Sequence, residues 1–358
     1  MRIIDKLLLT PNDLKPSFPN WIVKGVLNPG AIRLPSNKIM LFVRVAEQYH
    51  LNKGKLLHCP VITAEKGYKT KTENIRRKDI ARKENNVVFL KNGSCRLTTF
   101  SHFRKIILNE NGFDIEHIGE NPVFTGTATE GQYGVEDSRI TKTKDKYLLT
   151  YVSVSLNEGV STSLAVSEDL VRWKRKGIIF REQNKDVVIF PEKIKGKYIA
   201  LHRPEGFFKF SKPSIWISYS SDLAYWGREK SIMQPRPNSW EQDRIGSGAP
   251  PIKTEEGWLE IYHGVEQIEG KKTYSAGAAL LDLKNPEKIL ARSPKDKPLF
   301  APTEKHEKKG FVSNVVFPTG AVMDLNKKDL LVYLGGADSV ISVKKINLKD
   351  IFNHVEYY

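Results

Sequence analysis

One acid in this chain stands in a setting suited to catalysis. Asp137 lies in Gly134-Val135-Glu136-Asp137-Ser138-Arg139, at the entry to an alternating apolar run, with Gly131 and Gly134 just ahead of it. Glycines at such a place let the backbone approach a ligand closely. Adjacent carboxylates in extended chain point to opposite faces, so Glu136 and Asp137 share one site only if the backbone bulges. Asp137 and Arg139 are two apart and face the same way, which most often marks a structural ion pair. Four other segments carry groups of related chemistry. Phe190-Pro191-Glu192-Lys193, followed by Leu201-His202-Arg203-Pro204, sets Lys193 and Arg203 on successive strands of one hairpin. Gly246-Ser247-Gly248-Ala249-Pro250-Pro251 precedes Tyr262-His263-Gly264-Val265. His263 there closes an apolar strand, where a lone histidine is more often a satisfied core residue than a catalyst. Gly335-Gly336-Ala337-Asp338 exposes backbone beside an acid, and Asn28-Pro29-Gly30 precedes a strand bearing Arg44. Pooled, Asp137, Asp338, Arg44, Arg139, Lys193, Arg203 and His263 are rich in anion-binding groups. No zinc spacing, calcium loop, phosphate loop or dinucleotide fingerprint accompanies them. The expected chemistry needs an acid and an anionic co-substrate, and neither metal nor cofactor.

The elements that must bring these segments together repeat along the chain. Ser167-Glu168-Asp169-Leu170-Val171-Arg172-Trp173 returns as Ser220-Ser221-Asp222-Leu223-Ala224-Tyr225-Trp226, 53 residues later. Each copy follows an alternating run and predicts a strand, a tight Ser-x-Asp turn and an aromatic packing back on the sheet. A turn followed by an apolar strand recurs at Lys146–Tyr151, Lys197–His202 and Gly257–Tyr262, more weakly at Asp329–Tyr333 and Lys38–Phe42, with a further copy suggested at Arg96–Phe100. Repeats of short strands at roughly 40–50 residues, plus insertions, predict a β-propeller of five to seven blades. The first and last strands would share a blade, because closure removes exposed edges. The candidate residues sit at strand ends, one set per blade, and such ends converge on a central channel. A helix is expected near Thr10–Leu14, and a loop or polar helix over Lys71–Asn85.

The chain has 358 residues, 40% of them apolar, with no linker dividing it, which predicts one domain over 1–358. No run approaches a membrane span, the first ten residues do not resemble a signal peptide, and Cys59 and Cys95 make no disulfide framework. A cytoplasmic protein is the expectation. The net charge is +16, from 57 basic and 41 acidic residues. Its densest stretch, Lys66 to Lys83, lacks the aromatic interleaving of a single-strand binder and matches no groove-reading motif. It is expected to be a solvated surface whose field attracts anions such as phosphate, with neither nucleic acid nor membrane as partner.

Gly-Val-Glu-Asp-x-Arg at 134–139, Phe-Pro-Glu-Lys at 190–193, His-Arg-Pro at 202–204, Gly-x-Gly-x-Pro-Pro at 246–251, Tyr-His-Gly-Val at 262–265 and Gly-Gly-Ala-Asp at 335–338 together resemble glycoside hydrolase family 130. The resemblance runs from Asn28 to Asp338 with the motifs in family order. It implies a five-bladed all-β propeller with the active site in its central channel. It also implies inverting phosphorolysis of a β-mannoside to α-D-mannose 1-phosphate, with phosphate as co-substrate. A minority of the family hydrolyses β-1,2-mannosides. Carried over, Asp137 would be the general acid, and Arg139, Lys193, Arg203 and His263 would lie in or beside the phosphate pocket. Asn28, Arg44, Tyr262 and Asp338 would bind the sugar. Many relatives self-associate, so a homo-oligomer is within expectation. The chain departs from the family at Ser138, where proline is usual, and at Ser161-Thr162-Ser163-Leu164, where some phosphorylases carry an arginine.

Phosphorolysis agrees with the inventory. An inverting hydrolase needs an acid and a base, with carboxylates roughly 6.5–9.5 Å apart. A phosphorylase needs the acid and a cationic cradle, since phosphate is already a nucleophile. Arg139 runs against this, because a neighbouring guanidinium lowers a carboxyl pKa. The linkage stays open between β-1,2-mannobiose or short β-1,2-oligomers, β-1,4-mannooligosaccharides, and mannosyl-glucose or mannosyl-N-acetylglucosamine, with a weak preference for β-1,2. Loops at Lys66–Asn85 and Phe207–Lys212 are expected to set it. A β-1,2-mannosidase would recruit Glu192, Glu205 or Glu260. A non-catalytic carbohydrate- or protein-binding propeller is the other alternative, which retention of Asp137, Lys193 and Arg203 disfavours. If the charge serves solubility and phosphate, duplex DNA at ~150 mM salt should show no saturable binding tighter than about 10⁻⁴ M. Sub-micromolar binding in a filter or anisotropy assay would contradict this.

Overall fold

In the computed structural model, which describes residues 1–50, 54–66, 68–206 and 210–358, five antiparallel sheets follow one another along the chain. Sheet I holds Trp21–Arg33, Ile39–Tyr49, Thr99–Leu108 and Ile115–Ile118, in that spatial order. Sheet II holds Val135–Lys142, Tyr147–Ser155, Gly159–Ser167 and Lys174–Phe180. Sheet III holds Asn184–Ile189, Tyr198–Pro204, Ile215–Ser220 and Trp226–Met233. Sheet IV holds Arg244–Ser247, Trp258–Ile268, Lys271–Leu281 and Ile289–Arg292, with Ile252–Lys253 and the C-terminal Glu356–Tyr357 added. Sheet V holds Val316–Met323, Asp329–Gly336 and Val340–Asn347, and its outer edge is the N-terminal strand Ile3–Leu9. The C-terminal strand thus joins sheet IV, and the N-terminal strand joins the last sheet. Among the described residues no sheet closes on itself. Among the described residues helix is confined to the short segments Lys305–Lys308 and Leu348–His354 and two 3₁₀ turns. Among the described residues no helix is long and apolar enough to cross a membrane.

Five apolar clusters fill the spaces between neighbouring sheets. Met40 and Phe42 of sheet I meet Ile140 and Leu149 of sheet II. Leu148 and Leu164 meet Ile189 and Ala200 of sheet III. Leu201 and Ile217 meet Tyr262 and Leu281 of sheet IV. Leu259 and Ala278 meet Leu330 and Val332 of sheet V. Tyr333 and Leu331 meet Val26 and Leu41 of sheet I, which completes the circuit. Both faces of the middle strands are therefore buried, and these strands are near-continuous apolar runs rather than alternating ones. The five turn-plus-strand repeats at 38, 146, 197, 257 and 329 are the second strands of the five sheets. The suggested copy at Arg96–Phe100 is not one. It is split between a small strand, Cys95–Leu97, and the third strand of sheet I.

An insertion separates the second and third strands of sheet I. It contains the hairpin of Leu56–Ile62 with Thr70–Arg76, and a three-stranded unit of Ile80–Glu84, Val87–Leu90 and Cys95–Leu97. The loop or helix expected over Lys71–Asn85 is instead two strands around a 3₁₀ turn, Arg77–Asp79. The reason is burial: Ile75 and Ile80 pack on Leu57, Cys59 and Val88, which a solvated helix could not supply. Near the N-terminus only a 3₁₀ turn forms, Pro11–Asp13.

The two Ser-x-Asp turns are the same device. Ser167 Oγ accepts from Leu170 N at 2.9 Å, and Asp169 Oδ1 accepts from Val171 N at 2.9 Å and Arg172 N at 2.7 Å. Ser220 and Asp222 do the same for Leu223, Ala224 and Tyr225. Each turn joins the third strand of its sheet to the fourth.

The inner strands are bolted to one another by buried hydroxyls. Thr141 Oγ1 donates to Ile189 O at 3.0 Å and Thr319 Oγ1 to Pro29 O at 3.1 Å. Ser138, where the family pattern has proline, accepts from Gly30 N at 3.0 Å and donates to Phe42 O at 2.8 Å. This serine ties sheet II to sheet I. Ser138→Ala should lower stability by about 1–3 kcal/mol, the usual cost of stranding buried partners. Urea denaturation measures it, and an unchanged midpoint would make these bonds incidental.

Candidate active site

The same local irregularity occurs in three inner strands. The ladder slips by one residue between Leu27 and Gly30, between Glu136 and Arg139, and between Lys185 and Val188. Each slip contains a polar residue in left-handed backbone: Asn28 at φ 41°, Asp137 at φ 53° and Asp186 at φ 55°. Asn and Asp tolerate that region better than other non-glycine residues. A bulge breaks strand alternation, so neighbouring side chains can turn to one side. The bulge at Asp137 is the condition under which Glu136 and Asp137 can share a site, and they do. Arg44 holds both, NH2 to Glu136 Oε1 at 2.6 Å and NH1 to Asp137 Oδ1 at 2.9 Å.

A cavity of about 360 Å³ lies over these bulges. Its walls include Asn28, Arg44, Asp137, Arg203, His263 and Asp338, six residues marked out in the sequence. Asn28 Nδ2 donates to Asp137 Oδ1 at 2.8 Å. Burial alone would raise the Asp137 pKa, but Arg44, Arg139, the Asn28 amide and Lys185 outweigh it and hold the carboxyl below its usual range. Asp338 goes the other way. Burial first, then the charges of Asp137 and Glu136, push it up to about 6 against the pull of Arg44 and Lys185. Burial also pulls His263 down to about 3, so the imidazole is neutral at physiological pH.

Three expected site residues lie elsewhere. Arg139 is buried behind the cavity, NH1 donating to Asp137 O at 2.9 Å, Nε to Gly248 O at 3.2 Å and NH2 to Asp186 Oδ1 at 3.1 Å. It braces sheets II, III and IV. Tyr262 precedes His263 on a regular strand and so faces the opposite side. Its hydroxyl donates to Glu241 Oε2 at 2.7 Å and accepts from Arg292 Nε at 3.1 Å within the core. Lys193 is at the far end of the sheet III hairpin from Arg203. Strand Asn184–Ile189 ends before it, and the ladder partner of Arg203 is Lys185. Lys193 lies over the Tyr198 ring at 4.3 Å, in a separate cavity with Lys142, Lys144 and Lys146.

Four charged wall residues escaped the sequence reading: Lys185, Asp186, Arg244 and Lys272. Asp186 is the buried anchor of the group. It accepts from Arg203 Nε at 2.6 Å and Arg139 NH2 at 3.1 Å, and His263 Nε2 is 3.6 Å away. Lys185 and Lys272 make no ion pair among the described residues. Of the carboxylates considered for hydrolysis, Glu205 lines the cavity, held by Arg203 at 2.9 Å and Arg244 at 3.6 Å. Glu192 pairs with Lys253 at 2.6 Å outside it, and Glu260 is buried beneath, with burial raising its pKa. Ser161 to Ser163 do not reach the cavity. Among the described residues no group of three or more His, Cys, Asp or Glu is placed to hold a metal ion. Of the loops expected to set the linkage, Phe207 to Lys209 lie outside the described residues, and Asn85 reaches the wall.

The cavity is electrically divided. On the side of sheets I, II and V, Arg44 lies among three carboxylates, Glu136, Asp137 and Asp338, and Lys185 of sheet III also acts on Asp137 and Asp338. On the side of sheets III and IV, four cations, Lys185, Arg203, Arg244 and Lys272, face two, Asp186 and Glu205.

Residues 86–357 match the family model of glycoside hydrolase 130, described as β-1,4-mannooligosaccharide phosphorylase. The chain belongs to this family. Its relatives include a β-1,2-mannobiose phosphorylase of Listeria innocua, 33% identical over 98% of the chain and 96% of that protein. A 1,2-β-oligomannan phosphorylase of Thermoanaerobacter sp. is 41% identical over 65% of the chain and 74% of that protein. The solved Listeria innocua β-1,2-mannobiose phosphorylase in complex with β-1,2-mannobiose superposes with a TM-score of 0.88, covering 99% of each chain.

The raised Asp338 pKa has a consequence for stability in this family member. Its folded value, about 6, lies above the ordinary 3.8, so the unfolded chain releases this proton more readily. The burden is absent below pH 4, grows as pH rises through 4 to 6, and is constant above. At pH 7–8 it is on the order of 2–3 kcal/mol. Asn also accepts the left-handed φ of 48° at this position. Asp338→Asn should therefore gain stability relative to wild type as pH rises from 4 to 7. A pH-independent difference in denaturation midpoints would refute the assignment.

Proposed function

We propose that this chain cleaves β-1,2-mannosides by phosphorolysis, transferring mannose to inorganic phosphate with inversion to give α-D-mannose 1-phosphate. The observation that carries this reading is the division of charge across the cavity. Inverting displacement needs a nucleophile on one face of the sugar and an acid on the other. The cationic side, with Lys185, Arg203, Arg244 and Lys272 beside neutral His263, suits a phosphate dianion. The opposite side offers Asp137 as acid and Asn28, Arg44 and Asp338 as hydrogen-bonding partners for mannose hydroxyls. A phosphate oxygen forms the new bond to C1 as the C1–glycosidic oxygen bond breaks, and the departing oxygen takes the proton from Asp137.

Asp137 starts at a disadvantage, because its surroundings favour the ionised form. A bound phosphate dianion offsets the fields of Lys185 and Arg139 and restores proton affinity. Phosphate thus serves as nucleophile and as the charge that readies the acid. The β-1,2 linkage is supported by the names of the Listeria innocua and Thermoanaerobacter relatives. We read the five sheets as five blades of a propeller, one domain over 1–358, with the cavity in its channel and the N-terminal strand closing the last blade. The unpaired Cys59 and Cys95 accord with a cytoplasmic setting.

Hydrolysis is the second reading, and Glu205 in the cavity wall is the observation that favours it. Incubation with β-1,2-mannobiose decides between them. Sugar phosphate formed only in the presence of phosphate supports the proposal, whereas free mannose without phosphate identifies a mannosidase.

Asp137→Asn, which keeps the left-handed backbone, should lower kcat by about 10²–10⁴-fold, the usual worth of a general acid. Activity within a few-fold of wild type in the folded variant would remove Asp137 from the mechanism. Lys185→Ala and Arg203→Ala should raise the KM for phosphate by about one to two orders of magnitude, with a smaller effect on the mannoside. Lys193→Ala should leave both constants unchanged. A phosphate defect in Lys193→Ala alone would reverse the assignment of the cradle.

A further inference from the structure

Among the described residues of the insertion in sheet I, one lines the cavity, the exposed Asn85. It sits in the two-residue turn between Ile80–Glu84 and Val87–Leu90, whose ends Glu84 and Val87 are ladder partners. Its φ of 52° is left-handed. The turn is held from behind. Asn86 O accepts from Thr98 N at 2.8 Å, and Asn86 Nδ2 donates to Thr99 Oγ1 at 2.9 Å. The hairpin root is fixed by Val88 packing on Leu57 and Cys59. The Asn85 amide is therefore placed by a built scaffold. Among the described residues it has no hydrogen-bond partner of its own. It also precedes the segment 86–357 that matches the family model.

Charge decides what it meets. Phosphate belongs with the cations of sheets III and IV, and the transferred mannose with Asn28, Arg44 and Asp338 on sheets I and V. Asn85 comes from the three-stranded unit of the insertion, is neutral, and offers both donors and an acceptor. A neutral amide at the wall suits a neutral polyhydroxylated ring, not an anion. We infer that Asn85 recognises the acceptor sugar, the mannose unit that leaves in phosphorolysis and receives mannose in the reverse reaction. The amide bonds that ring's hydroxyls, so the insertion selects the acceptor while the inner strands run the transfer. This rests on the phosphorolysis reading.

Asn85→Gly tests it, because glycine keeps the left-handed turn and deletes only the amide. The expected result is a rise of about five- to tenfold in KM for β-1,2-mannobiose, and for mannose as acceptor in the reverse reaction. The constants for phosphate and for α-D-mannose 1-phosphate stay unchanged, as does the thermal midpoint. Asn85→Asp, which also suits the turn, should shift preference among mannose, glucose and N-acetylglucosamine as acceptors. Unchanged acceptor constants in both variants would overturn the inference, and so would a phosphate defect equal to the acceptor defect. Titration of β-1,2-mannobiose in phosphate-free buffer reads the same contact without turnover, and unaltered affinity in Asn85→Gly would also overturn it. Wild-type protein that releases free mannose without phosphate sinks the phosphorolysis reading instead, and that titration still decides the role of Asn85.

Discussion

The site depends on a small backbone feature used three times. A regular inner strand would show the cavity every second side chain and bury the others in the sheet interfaces. The one-residue slips at Asn28, Asp137 and Asp186 break that rule where sheets I, II and III face each other. Each slip requires a left-handed residue, and each is occupied by Asn or Asp, which pay little for that conformation. The residue that makes the bulge thus also brings a polar group to the cavity wall. Replacing any of the three by a branched or bulky residue would disturb backbone and site together.

Buried charge is tolerated around these bulges because each ion is shared. Asp186 lies under two arginines and a histidine, and Arg44 spans two carboxylates. Such clusters cost desolvation energy, and their worth lies in fixed geometry rather than in net stability. Asp186 is spent on aiming Arg203 and Arg139. Lys185 is left without an ion partner among the described residues, on the side where an anion would dock.

Much of the architecture was legible. The five second strands were found because buried middle strands are apolar and follow tight turns, and the Ser-x-Asp turns because their hydrogen bonds are local. The insertion was misread because its apolar residues are sparse and its charges suggested a solvated segment, while its small core is assembled across strands. In the site, Asn28, Asp137 and Asp338 stood beside glycines that marked them. Lys185, not Lys193, is the ladder partner of Arg203, because hairpin register depends on where a strand ends, which composition does not reveal. Lys185-Asp186 did carry a signal, an acid opening the apolar run Val187-Val188-Ile189-Phe190, as Asp137 opens its own. Arg139 and Tyr262 are in the right neighbourhood but on the wrong side, Tyr262 by strand alternation and Arg139 by its capture behind the bulge.

The pairing of Ile3–Leu9 with Val340–Asn347 sets the order in which this molecule can be finished. Ile3–Leu9 leaves the ribosome more than 330 residues ahead of the strand it pairs with. At roughly 5–20 residues per second, that strand waits tens of seconds with an unsatisfied edge while the first four sheets form behind it. Joining the two strands then closes a loop of more than 330 residues. Because loop entropy grows only with the logarithm of length, this late step is limited by search time rather than by equilibrium cost. The exposed edge during that interval is a natural client surface for holding chaperones and a natural point of failure by strand exchange between nascent copies.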